Sequence, residues 1–318
     1  MARSATSQSP TAFGGHSYAH APNALVVAEG EDAAQIVATA LAAAGIREMA
    51  RVNFTEAPSR LDEQAALDLV LIEAEGISET LLDAVLARAS AVARDLGAAV
   101  VAAIDANQID VAAAHLLGGH SQLLCAPSAA ERVAALAVAK LRPRSRLNDA
   151  SNDGEAERLR RLNEEVARIA EVLARLTRGE EAERHDGVRE PGSGYRGPED
   201  ELSAANAQEI RALIRSRRLR AQFFAGELFA DPAWDMLLDL FAAQLEHRRV
   251  SVSSLCIAAA VPPTTALRWI GTLHDAGLFE RQADPSDRRR AYIALSAKGI
   301  EGMRGYIAAA KRQGLGLA

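Results

Sequence analysis

The sequence predicts a multidomain chain: an N-terminal α/β domain built on a parallel sheet, a helical rod, and a C-terminal α+β domain. Three observations carry that prediction. Short apolar runs alternate with helical periodicity between residues 24 and 142, a heptad repeat runs from 155 to 178, and two helical stretches split by Pro262-Pro263 lead into paired alternating strands. A length of 318 residues accommodates two domains with connecting material. Hydrophobic residues make up 49% and aromatics only 4%, so the cores are expected to be helix-rich and built from small side chains.

The first element of the N-terminal domain is an apolar strand at 24–28, followed by a helix over 32–44 that Gly45 ends. A weak second strand spans 49–53 and a third 67–72. A helix then covers 78–96, with strands at 98–104 and 123–125 after it. A last helix at 128–141 opens with Ser128 and Glu131 in capping-box spacing. Strict alternation implies a parallel sheet covered on both faces, and five repeats in this length fit the flavodoxin-like order. Residues 1–23 lack periodicity and are expected to form a disordered tail. His16 and His20 have the spacing of helical metal ligands, but no helix signal surrounds them.

The segment 24–142 resembles the receiver domain of two-component response regulators, with the best local match at Gly119-His-Ser-Gln-Leu-Leu-Cys-Ala-Pro127. The resemblance implies a phosphorylation site whose chemistry has gone. Glu73 stands where the acceptor aspartate belongs, and Ala28 and Glu29 replace the acidic pair that holds magnesium. Ala103 or Ile104 takes the hydroxyl position, Ala126 the lysine position and Leu123 that of the switch aromatic. In-line phosphoryl transfer depends on ångström-scale placement, so a longer carboxylate is no substitute for the acceptor. Two readings of this pseudo-receiver follow: Glu73 imitates a phosphorylated acceptor, with less charge and no lysine partner, or the fold serves dimerisation or docking, which is the expectation. A residual cation site from Glu29, Glu31, Asp32 and Glu73 is a further reading, since magnesium takes oxygen ligands.

After a polar joint comes the heptad run, with Leu159, Val166 and Leu173 at the a positions and Leu162, Ile169 and Leu176 at d. Three heptads with charged flanks predict a coiled-coil dimerisation helix over 155–178. Residues 179–203 hold Gly, Pro, Glu and Arg with almost nothing apolar, which predicts a flexible acidic linker.

Residues 204–318 form the last predicted domain. Its first helix carries Arg211, Arg215 and Arg218 on one face, offered either to phosphate or to solvent. Asp231-Pro232 caps the next, which brings Trp234, Leu237, Leu238, Phe241 and Leu245 to the core. Ser251, Ser253 and Ser254 supply N-cap chemistry for a short helix, Pro263 begins another, and Gly277 stops it. Strands at 278–282 and 290–295 flank a tip rich in arginine, and a helix over 297–312 closes the chain. A helix braced by a second helix can place its first turns in a DNA major groove. Here those turns offer Thr264, Thr265, Leu267, Arg268 and Gly271, while Arg288, Arg289 and Arg290 at the tip suit phosphates or a narrow minor groove.

This stretch resembles the winged helix-turn-helix of MarR-family transcription regulators. The matching residues are Leu255, Thr265, Arg268, Leu273 and Gly277-Leu278, then Asp284-Pro285, Asp287-Arg288-Arg289, Leu295-Ser296 and Lys298-Gly299. The resemblance implies that Asp287 orients Arg289 toward the minor groove and that the domain's first and last helices pair two copies, Met303, Tyr306 and Ile307 either contributing to those contacts or capping the fold. Charge agrees with double-stranded DNA as a partner: 16 Lys and Arg stand against 12 acids from residue 201 onward, and 20 against 30 before it, within a net −6. The competing reading of this domain is a small α+β fold used for protein contacts.

No GxGxxG follows the first strand, and neither a P-loop nor paired-Cys metal spacing occurs. His115 and His120 lie near the last loop of the N-terminal domain as surface residues. No enzyme and no cofactor are therefore expected. Cys125 and Cys256 are expected to be reduced and buried. Arg3 precedes no apolar run and nothing approaches a membrane span, so a cytoplasmic protein is expected. The functional expectation is a homodimeric, sequence-specific transcription regulator; the alternative is an adaptor that docks another signalling protein through the pseudo-receiver.

Overall fold

A computed structural model describes residues 21–141, 206–224, 229–284, 287 and 289–314. The predicted rod at 155–178, the linker at 179–203, Arg288 and nearly all of the N-terminal tail lie outside the described residues.

In the α/β domain the elements run β1 (Asn23–Val27), α1 (Gly30–Ala44), β2 (Arg47–Val52), α2 (Ala57–Asp62), β3 (Leu69–Glu73), α3 (Glu79–Leu96), β4 (Ala99–Ile104), α4 (Ile109–His115), β5 (Ser121–Cys125) and α5 (Ala129–Leu141). The five strands are parallel in the order β2-β1-β3-β4-β5, consistent with a flavodoxin-like sheet. Alternate residues face opposite sides. Leu25, Val27, Val70, Ile72, Val100 and Ala102 meet α3 and α4, whereas Val26, Leu69, Leu71 and Val101 meet α1 and α5.

Two short helices, α2 and α4, go beyond the sequence reading. Six or seven residues make less than two turns, too few for a 3.6-residue period to register. The helix ends follow the predicted chemistry. Gly45 closes α1 at φ +64°, and Ser128 exchanges hydrogen bonds with Glu131 at 2.8 and 3.3 Å.

The C-terminal domain contains α6 (Ala207–Leu219), α7 (Pro232–Leu245), β6 (Val250–Ser251), α8 (Val252–Ala258), α9 (Pro263–Asp275), β7 (Phe279–Ala283), β8 (Ala291–Leu295) and α10 (Ala297–Arg312). An antiparallel sheet in the order β6-β8-β7 follows the helix pair α8–α9, which is the winged helix arrangement. Leu238 and Phe241 are fully buried at its centre, with Trp234, Leu237 and Leu245 half-buried around them. Tyr306 of α10 stays exposed and meets the Trp234 ring edge-on at 4.8 Å, while Met303 and Ile307 are buried.

The two domains share one continuous hydrophobic cluster. β5 is an edge strand of the parallel sheet, and α9 packs along it. Among the described residues no helix is long and apolar enough to cross a membrane.

Candidate nucleic-acid interface

The helix proposed to read bases, α9, is set by contacts at both ends. Pro263 starts it with a φ already suited to a helix, and its first turn contains no acid. At its far end Gly277 adopts φ +70° and its N–H donates to His274 O at 2.9 Å. Lys298 donates from Nζ to Ala276 O at 3.0 Å, placing a cation on the helix's negative terminus. Ser296 caps α10 by accepting from Gly299 N and also donates to Gly277 O at 2.6 Å. A Cβ on Gly299 would stand 2.4 Å from Leu278 O, so only glycine permits this approach. Gly277, Leu278, Ser296, Lys298 and Gly299 thus form one joint that fixes α9 against the wing strands.

The wing tip is ordered by two aspartates. Asp284 is buried and accepts from the Tyr292 hydroxyl at 3.0 Å. Asp287 accepts from the Arg289 amide at 3.1 Å and from its guanidinium at 3.2 and 3.4 Å. Hydrogen bonds from the Arg289 side chain, and then from its amide, hold the Asp287 carboxyl below its ordinary range. The pair implied by resemblance is therefore brought together. Arg290 lies 3.6 Å from Asp287 and 3.8 Å from Glu79 of α3.

On α9, Arg268 is exposed, Thr264, Thr265 and Gly271 are half-buried, and Leu267 is buried. All five line a cleft of about 340 Å³ whose opposite wall is β5 and α5. Thr264 Oγ1 accepts from Cys125 N at 2.9 Å and lies 3.3 Å from Cys125 O. Asp275 accepts from Gly119 N at 3.0 Å with each carboxylate oxygen. Ser253, at the start of α8, donates from its amide at 2.8 Å and its hydroxyl at 2.7 Å to Asp110 of α4. Arg281 of β7 also donates to Ala114 O.

Arg211 corrects one sequence reading. Instead of facing phosphate or solvent, it clamps α6 to α7 through Glu246 at 2.9 Å and Asp239 at 2.6 Å. Bonding to Arg211, then to Arg248, holds the Glu246 carboxyl down at about 2. His115 also differs from expectation, being a half-buried α4 residue whose Nε2 lies 2.7 Å from Asp83.

The position read from sequence as a degenerate phosphorylation site is closed by a group that reading missed. Glu73 ends β3 at 6% exposure, and Arg132 of α5, at 7%, meets both its oxygens at 3.0 and 3.1 Å. Arg132 reaches Glu75 at 3.0 Å as well and donates to Pro127 O. Glu73 therefore has a cationic partner after all, supplied by a helix rather than by position 126. Ala126 itself holds φ +44°, and Ala28 is buried. Burial pushes the Glu73 carboxyl up, and Arg132 opposes that shift. The signal in the sequence was an arginine on the core-facing stripe of α5, in register with Ala135, Leu136 and Ala139. The residual cation site is not assembled: Glu73 is bound to Arg132, Glu29 accepts from Phe54 N at 3.1 Å, and no cluster suited to a metal occurs among the described residues.

A family model described as a winged helix DNA-binding domain matches residues 235–299. No curated protein matches the sequence. Among solved structures, MepR, a transcription regulator of the Staphylococcus aureus multidrug efflux pump MepA, is 19% identical over 34% of this chain and 73% of its own, with a TM-score of 0.23. The transcriptional regulator PA3341 is 25% identical over 34% of this chain and 77% of its own, also with a TM-score of 0.23. A MarR family transcriptional regulator from Silicibacter pomeroyi DSS is 22% identical over 39% of this chain and 79% of its own, again with a TM-score of 0.23.

Proposed function

We propose that the chain is a homodimeric, sequence-specific DNA-binding transcription regulator of the cytoplasm, without enzymatic activity. Its α/β domain acts independently of phosphorylation, as a dimerisation or docking surface. The observation that carries the reading is the wing: Asp287 fixes Arg289 in the wing that follows α9, a helix with an acid-free first turn, inside the segment that matches a winged helix DNA-binding domain. In a dimer, two copies of α9 would meet half-sites about one DNA turn apart or a multiple of it. Pairing is supported by the heptads at 155–178 and by the exposed Leu219, Phe223, Phe224 and Phe229, an apolar patch of the kind that subunits cover.

The roles of the two arginines separate in one experiment. Arg268 is the base-reading residue, because a bidentate guanidinium–guanine contact is worth ~1–3 kcal/mol of discrimination. Arg268→Ala should relax sequence preference. Arg289→Ala should weaken binding evenly across sequences and reduce the salt slope by about one. Anisotropy titrations of promoter fragments and random duplexes at several salt concentrations read both effects. A binding profile untouched by either change would remove the assignments. The second reading, an adaptor for another signalling protein, is favoured by the hydrogen bonds that α9 already makes to a protein surface. It would gain if promoter fragments bound no better than random duplex while the α/β domain captured a histidine kinase or another regulator.

A further inference from the structure

α9 lies antiparallel along the open edge of the parallel sheet. Thr264, in its first turn, pairs with Cys125 at the end of β5, and Asp275, in its last, pairs with Gly119 just before the strand begins. The lengths agree. Eleven helical steps at ~1.5 Å span roughly 17 Å, and six strand steps at ~3.3 Å span roughly 20 Å. An edge strand presents unpaired N–H and C=O groups that must be covered, and the Thr264 hydroxyl meets both at Cys125.

The face of α9 turned toward this edge is the one assigned to DNA. Thr264, Thr265, Leu267, Arg268 and Gly271 all line the cleft shared with β5 and α5, and Gly271 comes within 3.5 Å of the Gly118 amide measured from an added Cβ. A duplex cannot occupy that face while β5 does. The wing is engaged on the same side, with Arg290 at 3.8 Å from Glu79. Asp110 holds α8, the brace of α9, through two hydrogen bonds at its N-terminus. Two carboxylates of the α/β domain, Asp110 and Glu79, thus face the start of α8 and the wing.

We infer that the α/β domain is an internal competitor of DNA: it masks α9 and the wing, and binding a duplex requires the two domains to part. The inference rests on the DNA-binding reading and adds its regulation. Signals that open the α9–β5 contact switch the protein on. The closing device is connected to the degenerate phosphorylation site, because Arg132, held by Glu73, also grips Pro127, two residues from the Cys125 that binds Thr264. A permanent ion pair thereby sets the corner on which α9 rests.

Three full-length variants test this with anisotropy on promoter fragments and small-angle X-ray scattering. Asp110→Ala removes both bonds to Ser253, and Asp95→Ala on the exposed end of α3 makes the same charge change away from the contact. Asp110→Ala should enlarge the radius of gyration and tighten DNA binding by about tenfold, since apparent affinity scales with the open fraction; Asp95→Ala should do neither. The third variant, Gly118→Cys with Asp275→Cys, locks the contact. A Cβ at Gly118 stands 3.2 Å from Asp275 Cγ, within disulfide reach, and its reduced form controls for the strain of a side chain at φ +73°. Oxidation should lower DNA affinity at least about tenfold and reduction should restore it. Equal affinity in the two redox states, or failure of the bond to form, overturns the inference. An expanded Asp110→Ala protein with wild-type DNA affinity overturns it too, leaving the DNA reading intact. If the expanded protein binds no duplex at all, the DNA reading itself falls.

Discussion

Inside the α/β domain Arg132 meets both carboxylate oxygens of Glu73, and Glu75 shares the same guanidinium. Removing one member of such a pair strands the other without compensation, whereas replacing both with apolar groups is often neutral. Arg132→Leu should therefore destabilise the protein by about 3–5 kcal/mol, and Glu73→Leu with Arg132→Leu together should recover most of that loss. Denaturant melts of the two single variants and the double variant check this; additive losses would mean the pair is not coupled. The sequence disclosed half of the arrangement. A carboxylate at the end of a buried strand was visible at Glu73, but its partner lies 59 positions away in another element. The pairing of Asp287 with Arg289 was implied by the resemblance of the wing to a known family, and the two residues stand only two apart.

Elements were readable where their own chemistry sets their ends and obscure where a distant contact decides them. Gly45, Ser128, Asp231, Ser251 and Gly277 each mark a helix boundary through local caps, and each boundary was placed from sequence. α2 and α4 escaped because they are stabilised by packing rather than by periodicity. The join between α6 and α7 was likewise hidden, since Arg211 finds Glu246 across 35 residues. That join has a pH signature. Glu246 is lowered from 4.5 to about 2 in the folded chain, so its contribution is fully present above pH 4.5 and is lost as pH falls toward 2. Glu246→Gln should flatten that part of the acid-unfolding profile followed by circular dichroism. An unchanged profile would mean that Arg211 does not stabilise the fold through this carboxylate.

Over the whole molecule the sequence disclosed a charge division, 16 basic against 12 acidic residues from 201 onward and 20 against 30 before it, but not what that division does within one chain. A basic surface suited to phosphate is also suited to a neighbouring acidic domain, and composition cannot distinguish the two partners. The α9–β5 contact belongs to that ambiguity: Thr264 and Arg268 are as fit for an edge strand and its cleft as for base edges. If both partners use one face, the coupling is reciprocal, and DNA must weaken the domain contact by the same factor that the contact weakens DNA binding. Amide exchange exposes this directly. The Cys125 and Gly119 amides donate to Thr264 and Asp275, bonds that α9 supplies while it is docked. Adding a bound duplex should speed deuterium uptake at Gly119 and Cys125 while slowing it in α9 and around Arg289. Slower uptake at all four places would mean that the duplex binds the closed protein, with α9 still on the sheet edge.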